Sequence, residues 1–97
     1  MKINIDEFKE IILLLLSNLK DSKSSEIELR NDYYWDISKE QLYNPYDEPR
    51  EMSLGQLSDD INEICRLTKP NAKAIPYDLK RIAEILKAFS IENPTAF

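Results

Sequence analysis

The sequence predicts a mainly α protein, a compact bundle of three to four helices with a short extended or hairpin segment around residues 26–37. Three observations predict it. Apolar residues recur at steps of three and four in three stretches. Each stretch opens on a helix-start signal, at Asn4, Ser53 or Pro76. The intervening stretch from Glu26 to Ile37 alternates instead, and it is rich in residues that favour extended backbone. A chain of 97 residues has the size of one domain, here 1–97, with a single hydrophobic core.

The first helix is expected from Asn4 to about Lys20. Asn4 can accept from an orphan backbone N–H, and Glu7 follows at capping-box spacing. Ile5, Phe8, Ile12, Leu15, Leu16 and Leu19 form its stripe, and Ile11, Leu13 and Leu14 widen it until the helix is nearly surrounded by apolar residues. That pattern predicts the central core element. Asp21 to Ser25 follows as a loop. Ile27 and Leu29 then alternate with acids, and Tyr33-Tyr34-Trp35 favours extended backbone, so a hairpin or ribbon is expected. Ser38 caps one or two turns through Tyr43, and Pro45 pushes Asn44 out of helical geometry. The segment from Asn44 to Arg50, with its two prolines, reads as a loop.

Ser53 and Gln56 have the spacing of a second capping box, and Leu54, Leu57, Ile61, Ile64 and Thr68 continue at helical spacing. Gly55 lowers helix propensity near that start, which allows the regular helix to begin at Ser58 instead. After a loop from Lys69 to Ile75, Pro76 opens a last helix with Leu79, Ile82, Ala83, Leu86 and Phe89 as its buried stripe. Lys80, Arg81 and Lys87 read as its solvated face rather than a nucleic-acid contact.

Apolar residues at 42% and charged residues at 32% fit a folded globular chain, and a single Gly leaves no Gly-rich phosphate loop. Cys65 is the only cysteine, so no internal disulfide forms, and a reducing, cytoplasmic compartment is expected. The apolar run Ile11 to Leu16 follows Asp6, Glu7 and Glu10 and precedes no small-residue cleavage site, unlike a signal peptide. It is also far shorter than the roughly 20 residues that cross a bilayer. The net charge is −5, but the segment from Glu26 to Glu63 alone carries eleven acids and three bases, a balance of −8. Such a field opposes nucleic acid and anionic membrane and attracts a protein with a basic surface.

Catalytic equipment is sparse. The chain has no His, and Cys65, beside an apolar stripe, reads as a small core residue with no base to activate it. Asp59, Asp60 and Glu63 have a spacing that could approach a divalent cation, but acids in a first turn also offset the helix dipole, and we read them that way. No enzyme activity, cofactor or metal is expected.

The densest chemistry lies mid-chain. Five of the nine aromatics, Tyr33, Tyr34, Trp35, Tyr43 and Tyr46, fall within fourteen residues and alternate with acids. In one reading Trp35 and Tyr33 pack on the first helix, with polar tips in water. In the other, aromatic area, cation–π attraction and complementary charge bind a Lys- or Arg-rich partner. The expected contacts are Asp32, Tyr34, Trp35 and Asp36, then Tyr43, Tyr46, Asp47 and Glu48, with Asp59 and Asp60 at the start of the following helix.

The run Asp32-Tyr33-Tyr34-Trp35, the stretch from Glu40 to Pro49, and Gly55-Gln56-Leu57-Ser58-Asp59-Asp60 resemble a pattern of short bacterial proteins of unassigned role, which ends in the Tyr77-Asp78-Leu79 helix. In size and acidity the chain is also similar to immunity proteins of contact-dependent growth inhibition systems. The −8 central segment with interleaved aromatics and no catalytic equipment leads to the expectation of an immunity or antitoxin-like protein that blocks a cognate toxin domain, a nuclease with a basic cleft, and the resemblance adds to it. The alternative is a non-enzymatic adaptor or small subunit of a larger assembly, or a homodimer closing over its own aromatics.

Overall fold

In the computed structural model, residues 1–95 and 97 are described, and the chain forms two compact units: Met1–Glu28 with Asn93–Phe97, and Leu29–Glu92. Among the described residues there are four α-helices, one 3-10 turn and a two-stranded antiparallel sheet. The fold is therefore mixed α/β, and the expected mainly α bundle is wrong.

The first unit contains one helix, α1 (Ile5–Ser22). It starts as its sequence requires: Asn4 Oδ1 accepts from the Glu7 N–H at 2.9 Å, and Asp6 and Glu7 face the positive end of the helix dipole. It closes where the Lys23 N–H donates to the Leu19 carbonyl at 3.0 Å. The expectation that this helix is the central core element fails. Leu19 is buried and Ile12 half-buried, while Ile5, Phe8, Ile11 and Leu13 to Leu16 are all exposed. An apolar pattern on several faces needs neighbours on several faces, and this unit has a single helix.

The second unit runs β1 (Tyr33–Ile37), α2 (Lys39–Leu42), β2 (Met52–Gln56), α3 (Leu57–Cys65), a 3-10 turn (Arg66–Thr68) and α4 (Tyr77–Glu92). Two expectations change here. The hairpin does not close within residues 26–37; β1 pairs across a long loop with β2, from Tyr33 opposite Gln56 to Ile37 opposite Met52. The helix expected from Ser53 starts at Leu57, because Met52 to Gln56 is strand. Gly55, poor in a helix, sits opposite Tyr34, where the absence of a side chain makes room for the ring.

α3 and α4 pack on each other, with Leu57 and Ile85 buried. The buried face of α4 matches the expected stripe only in part: Leu86 and Phe89 are half-buried but Leu79, Ile82 and Ala83 are exposed, whereas Asp78 and Ile85 are buried and Lys80 and Arg81 half-buried. Ion pairs choose that face. The Asp78 carboxylate, 5% exposed, takes a two-pronged contact from Arg66, a second guanidinium from Arg81 at 2.8 Å and the Ile75 N–H at 2.8 Å. Arg66 holds the Asp78 carboxyl far below its ordinary value, with the Ile75 N–H adding to the effect, and Asp78 in return raises the Arg66 guanidinium. Cys65 is exposed, not in the core. No helix among the described residues is long and apolar enough to cross a membrane.

Candidate functional site

Side chains of a strand alternate between its faces, so the register assigns each β1 residue to one side of the hairpin. Tyr34 and Asp36, with Gly55 and Ser53 opposite, share the inner face. Tyr33, Trp35 and Ile37, with Gln56, Leu54 and Met52 opposite, share the outer one.

The inner face is a closed polar network. The Tyr34 hydroxyl donates to Asp60 Oδ2 at 2.6 Å and accepts from Lys80 Nζ at 3.0 Å. Lys80 also donates to Asp36 Oδ2 at 3.0 Å, and its ammonium stands 4.8 Å from the centre of the Tyr34 ring. Burial, then the hydrogen bond to Asp60, pushes the Tyr34 phenol up to about 12. Burial draws the Lys80 ammonium down, but its contacts with Tyr34 and Asp36 outweigh that and leave it raised.

Asp32, one residue before β1, does for α3 what a local cap would do. Its carbonyl accepts the Leu57 N–H at 2.7 Å, and its Oδ1 accepts the Ser58 N–H at 2.8 Å. Its Oδ2 accepts from the Ser58 hydroxyl at 3.0 Å and from Gln56 Nε2 at 2.8 Å. These bonds, Gln56 first and the Ser58 backbone next, hold its carboxyl below the ordinary value. Gln56, in the cap position itself, makes no side-chain cap bond.

The expected contacts therefore separate into two groups. Asp32, Tyr34, Asp36 and Asp60 come together, but inward: they hold strand to helix, and Asp60 is 8% exposed. Their carboxylates and the Tyr34 hydroxyl are engaged by Ser58, Gln56, Lys80 and one another. Lys80 and Arg81, expected on a solvated face, supply the opposing cations. Trp35, Tyr43, Tyr46, Asp47, Glu48 and Asp59 are exposed. Trp35 and Tyr33, expected in one reading to be covered, are 67% and 59% exposed.

The outer face is thus open. Trp35 and its cross-strand partner Leu54 lie side by side at 67% and 61% exposure, flanked by exposed Tyr33 and Met52 and half-buried Ile37. Sequence reasoning missed Met52, which it placed in no element, and Leu54, which it assigned to a helix stripe. The apolar-polar alternation Met52-Ser53-Leu54, ended by Gly55, was the signal for a strand. Past the Ile37–Met52 end, the acidic loop is held in shape by Gln41 Oε1, which accepts the Arg50 and Glu51 N–H groups at 2.7 and 3.1 Å. Within the loop, Asn44 Oδ1 accepts the Tyr46 N–H at 3.1 Å, and Asn44 Nδ2 donates to Asp47 at 3.3 Å. Tyr43 and Tyr46 stand 88% and 92% exposed.

Exposed aromatic and aliphatic side chains supply area that gains by leaving water, and the adjoining Asp47 and Glu48 supply charge for orientation. Among the described residues no group of three or more His, Cys, Asp or Glu side chains is placed to hold a metal ion, and Asp60 is turned from Asp59 toward Tyr34. No protein-family model, curated protein or solved structure matches the chain.

Proposed function

We propose that this chain is an immunity or antitoxin-like protein that acts in the cytoplasm without catalysis, binding and neutralising a cognate toxin domain with a basic surface. The observation that carries the proposal is the open outer face of the hairpin, Tyr33 and Trp35 beside Met52 and Leu54, continued by the acidic loop of Tyr43, Tyr46, Asp47 and Glu48. Aromatic side chains surrounded by near-neutral contacts dominate the energy of protein interfaces, so Trp35 sets how slowly the complex dissociates. Exposed carboxylates steer a basic partner and raise its association rate. The supporting charge is narrower than the sequence implied. Asp32, Asp36 and Asp60 are engaged internally, which leaves Asp47, Glu48 and Asp59 among the expected contacts to meet the partner.

The test reads the gene next to the one for this chain, where the proposal expects a toxin domain, and uses that domain in purified form. The expected result is a tight complex in which the toxin is inactive, weakened by Trp35→Ala through faster dissociation. Asp47→Lys with Glu48→Lys slows association and flattens its salt dependence. A complex indifferent to all three substitutions would remove the hairpin face from the interface, and a toxin domain that does not bind at all would end the neutralisation reading.

A further inference from the structure

We propose that the free edge of β1 takes up an extended segment of the partner as an added strand, one in which apolar residues alternate with Lys or Arg. The inference rests on the binding reading above and specifies how the contact is made. The sheet has two strands, so β1 has one hydrogen-bonded side and one unpaired side. Outside the ladder with β2, no backbone N–H or C=O of Tyr33–Ile37 has a hydrogen-bond partner among the described residues.

An unpaired edge is a template for another strand, and proteins that need to block it use Pro, Lys or a bulge. β1 has no Pro, no Lys and no break in its register with β2, and its one charged residue, Asp36, is neutralised by Lys80. Its sequence, Tyr-Tyr-Trp-Asp-Ile, is dominated by residues that favour strands, whereas β2 carries Gly55. The edge of β1 is therefore the better template of the two.

The two faces dictate what the added strand carries. On the outer side its residues would extend the Tyr33, Trp35 and Ile37 face, which selects apolar side chains. On the inner side they would fall beside Asp36, whose carboxylate is already met by Lys80, so the negative charge of the surrounding segment, −8 between Glu26 and Glu63, rather than a new ion pair at Asp36 selects Lys or Arg there. Charge also decides against a second copy of this chain as the strand donor. Each copy carries −5 overall and −8 between Glu26 and Glu63, so two hairpins brought edge to edge would repel. A basic partner has the complementary sign.

The experiment follows backbone amide exchange by NMR in the full chain, with an eight-residue synthetic peptide of alternating Lys and Val as probe. At about 1 mM peptide, a concentration suited to weak strand pairing, the outward-facing amides of Tyr33–Ile37 should exchange about tenfold more slowly. The same peptide methylated on every backbone nitrogen keeps its side chains and charge but has no N–H to donate, and it should give no protection. Equal binding of the two peptides, or no slowing of the β1 amides, overturns strand addition. The toxin complex separates this failure from that of the preceding reading. If the toxin domain binds and Trp35→Ala weakens it, yet the β1 amides exchange as in the free chain, the contact surface stands and strand addition falls. If the peptide protects β1 but no neighbouring toxin domain binds, the edge stands and neutralisation falls.

Discussion

The outer end of the Tyr34 ring, from Cε2 to the hydroxyl, occupies the space in which a side chain at Gly55 would begin. The two residues are opposite one another in the hairpin, and the ring crosses the bare backbone of its partner to bring its hydroxyl to Asp60 and Lys80. One glycine therefore lets the strand pair reach the helices.

Gly55→Ala places a methyl group inside that ring position and should destabilise the second unit by about 1–3 kcal/mol, the usual cost of overpacking. In a Tyr34→Ala background the same change should cost much less, because the clash is gone. Urea denaturation of the four proteins in the cycle measures the difference.

Tyr34 should ionise near pH 12, up from an ordinary value of 10, and this component of the phenolate absorbance titration should vanish in Tyr34→Phe. A folded-state value raised above the unfolded one gives stability that is full below about pH 10 and lost as pH rises toward 12. Alkaline unfolding should therefore start at a higher pH in the wild-type chain than in a variant lacking the Asp60 acceptor, Asp60→Ala.

Asp78 gives the opposite sign. Its carboxyl is depressed in the folded chain, so its contribution is present above the ordinary carboxylate value and is lost as pH falls through the depressed one. Stability should decline below about pH 4. Asp78→Asn, which leaves Arg66 and Arg81 without their shared anion, should lower the melting temperature at neutral pH and weaken the acid dependence. Thermal melts of both proteins between neutral and acid pH check this.

Trp35→Ala should separate binding from folding. Its side chain is 67% exposed, so stability should change by within about 0.5 kcal/mol, as for a surface position. Affinity for the toxin domain should fall about thirtyfold, the equivalent of a 2 kcal/mol interface hot spot. Asp36→Asn should do the reverse, weakening the link to Lys80 and with it the fold. Calorimetric titration beside a thermal melt distinguishes the two.

In the first unit, Asn4→Ala removes the acceptor for the Glu7 N–H and should cost about 1 kcal/mol of α1 stability. Faster amide exchange at the first turn of α1, with the second unit unaffected, is the expected signature.

Local signals in the sequence reached the helix ends and the loop. Asn4 caps α1, Ser38 precedes a short turn, and Pro76 stands one residue before α4, because each is a property of one residue and its immediate neighbours. Tyr43 and Tyr46, expected as contacts beside the proline-containing loop, are exposed. Pairing was not local. Met52 to Gln56 carried both a capping-box spacing and a strand alternation, and contact with β1 across the long loop decided between them. Which acids remain for a partner was likewise settled at long range: Asp32 is spent on Ser58, Asp36 on Lys80 and Asp60 on Tyr34, each more than twenty residues away in the chain. A sequence determines how many carboxylates and rings a segment carries. Only the tertiary structure decides which of them already have a counter-charge or donor, because a partner distant in sequence leaves no local periodicity to read.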